Sequence, residues 1–238
     1  MTSTLKQATI QHFAKRKSFY KKLYHQYPFL DIVARYYKPN SKTLEIGSGI
    51  GAFLHEISSS QNVLVGIDIC KTFIHEAHKR FPTISLLVGD AEKLPFRSKF
   101  FKTVFMRNLL HHLVAETPNL SQGYMTKVLE ETYRVCDKGG DLFVLEQCIL
   151  SRIIGWLLFW FSLFMSRLNL SFHRINLHEG VVISFLASHQ LVQLLEKTNF
   201  KILKDFSHRP CTGLHLGVNF GEVIIFARAE QGISESVI

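Results

Sequence analysis

Three glycines at alternate positions, Gly47, Gly49 and Gly51, follow a short apolar run that carries one acid, Glu45, in "TLEIGSGIGAF". A chain without side chains at alternate positions, between a strand-like run and a helix-like one, either admits a visitor to its backbone or packs a helix hard on a strand. The spacing is G-x-G-x-G, not the G-x-G-x-x-G that sets a pyrophosphate on a helix N-terminus. It also lacks the Gly-Lys-Ser/Thr ending of a triphosphate loop. An NAD-linked oxidoreductase is therefore disfavoured.

The segments around this loop alternate. After it come "AFLHEISSS" with helical spacing, the buried strand "NVLVGIDI", the helix "KTFIHEAHKRF", "SLLVGDA", "KTVFMRN", the helical "YMTKVLEETYRVC" and the strand "DLFVLEQ". Strands alternating with helices predict an α/β fold, a Rossmann-like open, mostly parallel sheet with helices on both faces. "KILKDF" and "EVIIFARA" close it as seven strands with an antiparallel last strand. Ligands of such sheets bind at the carboxyl ends of the strands. The glycine loop, Asp68, Asp90 and Arg107-Asn108 all fall at such ends.

Asp68 lies 21 positions beyond Gly47, where an acid at the end of a second strand accepts hydrogen bonds from ribose hydroxyls or caps the next helix. Asp90 in "GDAEKLPF" is placed to take an adenine amino group or to serve as a turn cap. The 238 residues suffice for one sizeable core. We divide them into a basic helical arm (1–40), a core (41–148), an apolar helical insertion or lid (149–187), a C-terminal helix and strand pair (188–230) and a tail (231–238).

Charge is uneven along the chain. Of the net +9, residues 1–40 hold eight bases and one acid, or +7. That arm is either a solvated helix face or an anion contact. "IIGWLLFWFSLFM" (153–165), bracketed by Arg152 and Arg167, is too short to span a bilayer. It reads as a buried helix, a lid over an apolar substrate, or a helix in the membrane interface. Ser188 is the expected N-cap of the helix that follows. Cys70, Cys136, Cys148 and Cys211 form no Cys-x-x-Cys pair, so reduced thiols and no metal site are expected. The N-terminus lacks the apolar core of a secretion signal, which predicts a cytoplasmic chain, peripheral on the inner face of a membrane if the apolar segment meets lipid.

With these residues in order, the chain resembles the class I S-adenosylmethionine-dependent methyltransferases over about residues 40–148. The motifs are "LEIGSGIGAF", "GIDI", "GDAEKLPF", "LLHHL" and "EETYRVCDKGGDLFVLE". The resemblance implies S-adenosylmethionine as cofactor, held by Glu45, Gly47, Ser48, Gly49, Gly51, Asp68, Ile69, Asp90, Ala91 and Asn108. Asp68 would take the ribose and Asp90 with Ala91 the adenine. Two positions depart from the family: Lys102 stands where an acid is usual, and "DKGG" replaces a Lys-Pro-Gly-Gly turn.

Within the family, "EKLPF" and "FMRN" look most like the ubiquinone and menaquinone C-methyltransferases. That resemblance implies that Arg107 orders a water or stabilises a developing phenolate; from the residues themselves, His111 or its neighbour His112 could serve as a base, since histidine titrates near neutrality. Adjacent helical positions point about 100° apart, so at most one of the two is expected to face the acceptor. The Asn/Asp-Pro-Pro-Tyr/Phe motif of nucleic-acid amino-methylating enzymes is absent from the fourth-strand tip, where "RNLLHH" stands. A small apolar or lipid-like acceptor is expected, of quinone or phenol type. A catalytically silent binding subunit of the same fold is the alternative.

Overall fold

The computed structural model describes residues 4–15, 27–39, 41–149, 151–168, 170, 181–206, 209–210 and 220–230. Cys211, the 231–238 tail and most of the basic run "FAKRKSFYKKLYHQY" lie outside the described residues. Helices α1 (Thr4–Lys15) and α2 (Tyr27–Tyr36) precede β1 (Lys42–Ile46), α3 (Ala52–Glu56), β2 (Val63–Asp68), α4 (Lys71–Arg80), β3 (Ser85–Val88) and β4 (Phe101–Arg107). A 3₁₀ turn (Leu110–His112) leads to α5 (Pro118–Val135), β5 (Cys136–Ile149) and α6 (Arg152–Arg167). Then come α7 (Ser188–Lys197), β6 (Phe200–Asp205), β7 (Arg209–Pro210) and β8 (Phe220–Ala229).

The sheet runs β3-β2-β1-β4-β5-β8-β6, with the two-residue β7 beside β8. The first five strands pair in parallel, and β8 runs antiparallel to both β5 and β6. This is the seven-stranded, mostly parallel sheet that the alternation predicts. The chain leaves β1 toward β2 on one side and returns through β4 on the other, so a crevice opens above β1.

Both faces of the central strands are covered, which is why they read as continuous apolar runs. Alternate residues go to opposite faces. Leu44, Ile46, Val104, Met106, Leu142 and Val144 pack with Val128 and Leu129 of α5 and Leu191 and Leu195 of α7. On the other face Phe105, Phe143 and Phe226 stack in series, with centroids 5.0 and 4.7 Å apart, under Phe29 of α2 and Phe53 of α3. A Cβ at Gly66, in the middle of β2, would sit 2.5 Å from Leu86 Cδ2 and 2.8 Å from Ser48 Cβ. Gly66→Ala is therefore expected to lose about 1–3 kcal/mol by overpacking, read as a lower urea midpoint with unchanged slope.

Local signals set several boundaries. Thr117 caps α5, its hydroxyl accepting the Leu120 N–H at 3.3 Å, and Pro118 occupies the first turn. The start of α7 differs from expectation. Ala187 is the N-cap and Ser188 the first helical residue, while the Gln190 side chain reaches back to the Ala187 N–H at 3.1 Å. The glutamine at the third helical position accepts the N–H of the N-cap residue itself, a different donor from the first-turn N–H that a capping serine side chain would accept. The 153–165 segment becomes α6, and its outer face is exposed, which excludes an ordinary buried helix. Cys70, Cys136 and Cys148 are buried thiols, and burial pushes Cys136 up to about 12. No helix among the described residues is long and apolar enough to cross a membrane.

Candidate active site

Strand register brings the expected positions to one edge of the sheet. Ile46 pairs with Ile67 and Met106, Asp68 with Val88, and Arg107 with Leu145. The first four parallel strands thus end within about a residue of one level, while β5 runs on to Ile149, and polar groups lie at or just beyond the four tips and on β5 at Glu146.

The loop between β1 and α3 is bent by positive φ at all three glycines, +75° at Gly47, +55° at Gly49 and +75° at Gly51. L side chains rarely adopt that conformation. Two of the three are also crowded by the protein itself. A Cβ at Gly47 would lie 3.1 Å from Leu109 and one at Gly51 3.0 Å from Leu86. The loop is tied to β2 through Gly47 and Ser48 N–H groups donating to the Ile67 carbonyl, at 2.8 and 3.0 Å. Asp68 completes the tie: one oxygen accepts the Gly49 N–H and the other the Cys70 N–H, each at 2.8 Å. Burial raises the Asp68 carboxyl above the usual range, opposed by those two N–H groups. Each oxygen keeps a second lone pair. Ser48 is buried, its Oγ unpartnered, and Ile69 is half-buried at the bend after β2.

Glu45, fully buried on β1, is bound asymmetrically. Its Oε1 takes both Nε and a terminal nitrogen of Arg107, at 2.9 and 2.7 Å, and its Oε2 has no partner. Desolvation pushes the carboxyl up to about 7; Arg107 pulls the other way and Asp68 adds to the rise. The Arg107 guanidinium lies 4.2 Å over the Phe53 ring. Arg107 is thus committed to Glu45 beneath the glycine loop, not to the far side of the crevice. Asn108 next to it sits at φ +49°, its N–H on the Leu145 carbonyl at 2.7 Å and its side-chain Oδ1 buried without a partner.

At the β3 tip, Asp90 accepts the Glu92 N–H at 3.1 Å, the turn geometry expected of an aspartate there. Its other oxygen is paired with Lys6 of α1 at 2.6 Å, and Lys6 also reaches Glu92 at 2.5 Å. Ala91 is half-buried against the main core. The same helix sets Phe13 edge-on to His112, with centroids 4.8 Å apart, and against Phe73 of α4. Sequence reasoning missed Lys6 and Phe13, since nothing local links position 6 to position 90.

The two histidines do not diverge as helical neighbours would. In the 3₁₀ turn their ring centroids are 4.0 Å apart. His111 is buried, with Nδ1 on Glu146 Oε1, and its ring is stacked on Phe185. The Glu146 carboxylate also accepts Gln147 N–H at 2.8 Å on Oε1 and Leu110 N–H at 2.7 Å on Oε2. His112 is held well below the usual histidine range by burial, then by the charges of His111 and His12, and its Nδ1 is unpartnered. It is a neutral ring in an apolar contact. Glu146 was also missed. Its signal was a lone acid within the apolar run "LFVLEQ", the same pattern as Glu45 in "TLEIG". Among the described residues no three His, Cys, Asp or Glu side chains form a group able to hold a metal ion.

The edge thus offers unpaired acceptors (Glu45 Oε2, Asn108 Oδ1, the spare lone pairs of Asp68), a glycine turn, and a carboxylate-held imidazole. Such a set suits a cationic ligand rich in donors. A family model described as a methyltransferase domain matches residues 44–144. Demethylmenaquinone methyltransferase of Thermotoga maritima is 24% identical over 192 residues, 77% of this chain and 78% of that protein. Phosphoethanolamine N-methyltransferase of Plasmodium falciparum is 26% identical over 113 residues, 46% of this chain, which spans only 40% of that protein's length. Among solved structures, a Methanosarcina mazei protein described as a SAM-dependent methyltransferase superposes with a TM-score of 0.66 at 18% identity, covering 84% of this chain and 98% of that one.

Proposed function

We propose that this chain is a class I S-adenosylmethionine-dependent methyltransferase that transfers a methyl group to a small apolar acceptor carrying an acidic hydroxyl, of phenol or quinol type. The observation that carries the reading is the unpartnered Oε2 of buried Glu45. A buried carboxylate oxygen left open is costly unless a donor arrives, and the ammonium of the cofactor's methionine part is such a donor. Asp68 would accept the ribose hydroxyls on its spare lone pairs, beside the glycine turn whose Gly49 N–H it already holds. Asp90, with Ala91 beside it, would receive the adenine amino group in competition with Lys6. Asn108 Oδ1 would take a further donor of cofactor or acceptor.

When bound, S-adenosylmethionine supplies a methyl on a sulfonium that departs as a neutral thioether in an in-line displacement. The chain's own work is orientation, water exclusion and proton removal. Glu146 holds Nδ1 of His111, which assigns the proton to Nδ1 and the basic lone pair to Nε2. Nε2 would take the hydroxyl proton of the acceptor as its oxygen or ring carbon attacks. Arg107 acts through Glu45, fixing which oxygen stays open. The Thermotoga maritima relative, whose name specifies demethylmenaquinone, supports an apolar ring acceptor.

Calorimetric titration with S-adenosylmethionine and S-adenosylhomocysteine, followed by labelled-methyl uptake into phenols and quinols, tests the reading. Micromolar binding of both and label in a ring acceptor support it. Binding without uptake by any acceptor moves the silent binding subunit forward, and no binding overturns the cofactor site. Because the Glu45 carboxyl is pushed up to about 7, cofactor affinity is expected to weaken below about pH 7, at most about tenfold per unit. Glu45→Gln should flatten that profile. The folded chain holds this proton more tightly than the unfolded one, so Glu45's contribution to stability falls as pH climbs from the ordinary carboxylate range to about 7.

A further inference from the structure

Helix α6 is apolar on two sides. Its inner face packs Phe159 and Leu163 against Val114 and Val182. Gly155 lets the Phe185 carbonyl come within 3.0 Å of where a Cβ would stand, and Phe185 stacks on His111. The outer face carries Ile153, Trp156, Leu157, Trp160, Phe164 and Leu168 in one stripe of helical spacing. All six are exposed, Ile153 at 71% and Phe164 at 59%. Soluble monomers rarely leave so contiguous an apolar stripe to water.

We propose that this outer face lies on an anionic lipid surface, so that the acceptor enters from the bilayer. The helix holds no acid and ends in exposed Arg152 and Arg167, a charge pattern that complements phosphate headgroups. Sixteen residues span about 24 Å, a length that lies along the interface with both arginines at headgroup level and two tryptophans at the boundary. A second copy of the chain is a poorer occupant. Paired parallel or antiparallel, two such helices bring arginine against arginine at each end. The chain's net charge of +9 favours the same partner. Only the bilayer as source of the acceptor rests on the proposed methyl transfer; the docking itself does not.

The chain's two tryptophans, Trp156 and Trp160, both sit on this face and report on it directly. The full-length protein is titrated with vesicles of phosphatidylcholine alone or of phosphatidylcholine with phosphatidylglycerol, and tryptophan emission is followed, with brominated lipid as quencher. The expected result is a blue shift and quenching with the anionic vesicles, and partitioning about tenfold or more stronger than to neutral ones. Arg152→Ala with Arg167→Ala should erase that preference, and Leu157→Ser with Phe164→Ser should abolish binding. Both variants should keep S-adenosylhomocysteine affinity, which shows that they are folded. Emission unmoved by anionic vesicles overturns the proposal, as does a dimer in sedimentation equilibrium that Leu157→Ser dissociates. Vesicle binding without methyl transfer to any acceptor supports this surface and counts only against the reading of the site.

Discussion

Asp68→Ala is expected to weaken S-adenosylmethionine binding by about 100-fold or more and to cost about 2–4 kcal/mol of stability, from two charge-assisted hydrogen bonds at about 1.5–3 kcal/mol each, less what water recovers. Both losses have one cause. The carboxylate that would accept the ribose also ties Gly49 and Cys70, so its removal frees the glycine loop and opens the turn into α4. Asp68→Asn separates the two roles. One oxygen still serves one backbone donor, while the amide presents hydrogens to the other, so stability should fall less than in the alanine variant and binding nearly as far. Calorimetric titration and urea unfolding of the three proteins measure this. Unchanged affinity in Asp68→Ala would remove Asp68 from the site and leave it as a loop clamp alone.

His111→Ala and Glu146→Gln should each lower kcat by about 10²–10⁴ while S-adenosylhomocysteine affinity stays within about twofold. Glu146 is a positioning residue, and its buried carboxylate serves three donors, His111 Nδ1, Leu110 N–H and Gln147 N–H. A glutamine must turn its NH₂ toward one side. Facing His111 it would favour the other tautomer, placing the proton on Nε2 and removing the base; facing Leu110 it would push on the turn that carries the histidines. A structural role alone would lower stability and kcat together at every pH. The positioning role instead predicts a changed kcat–pH profile and partial rescue by Glu146→Asp. Single-turnover methyl transfer across pH distinguishes the two.

The parts of the site that were legible in the sequence are those encoded locally. A glycine at alternate positions after a strand announces positive φ, and the structure places all three glycines there. An acid just beyond an apolar run announces a strand tip, hence Asp68 and Asp90. Arg107 was equally visible, but its partner was not. The guanidinium turns inward to Glu45, 62 positions away, because a buried acid needs a cation more than an exposed tip does. Glu146 was hidden for a related reason. Inside a strand one acid among apolar residues reads as a tolerated exception until the neighbouring turn delivers His111 to it. The rings of His111 and His112 lie against each other because a 3₁₀ turn, not an α-helix, carries them.

By its own periodicity and composition the chain determined the alternating strands and helices, the parallel centre with β8 reversed, the glycine turn and an unusually apolar α6. These depend on interactions within a few residues and on burial, which every neighbour shares. Only the tertiary structure decided which oxygen of Glu45 stays open, which donors Asp68 serves, that Lys6 guards Asp90, and which face of α6 remains in water. Each is a choice among partners distant in sequence, and sheet register and desolvation make that choice only after the strands have come together.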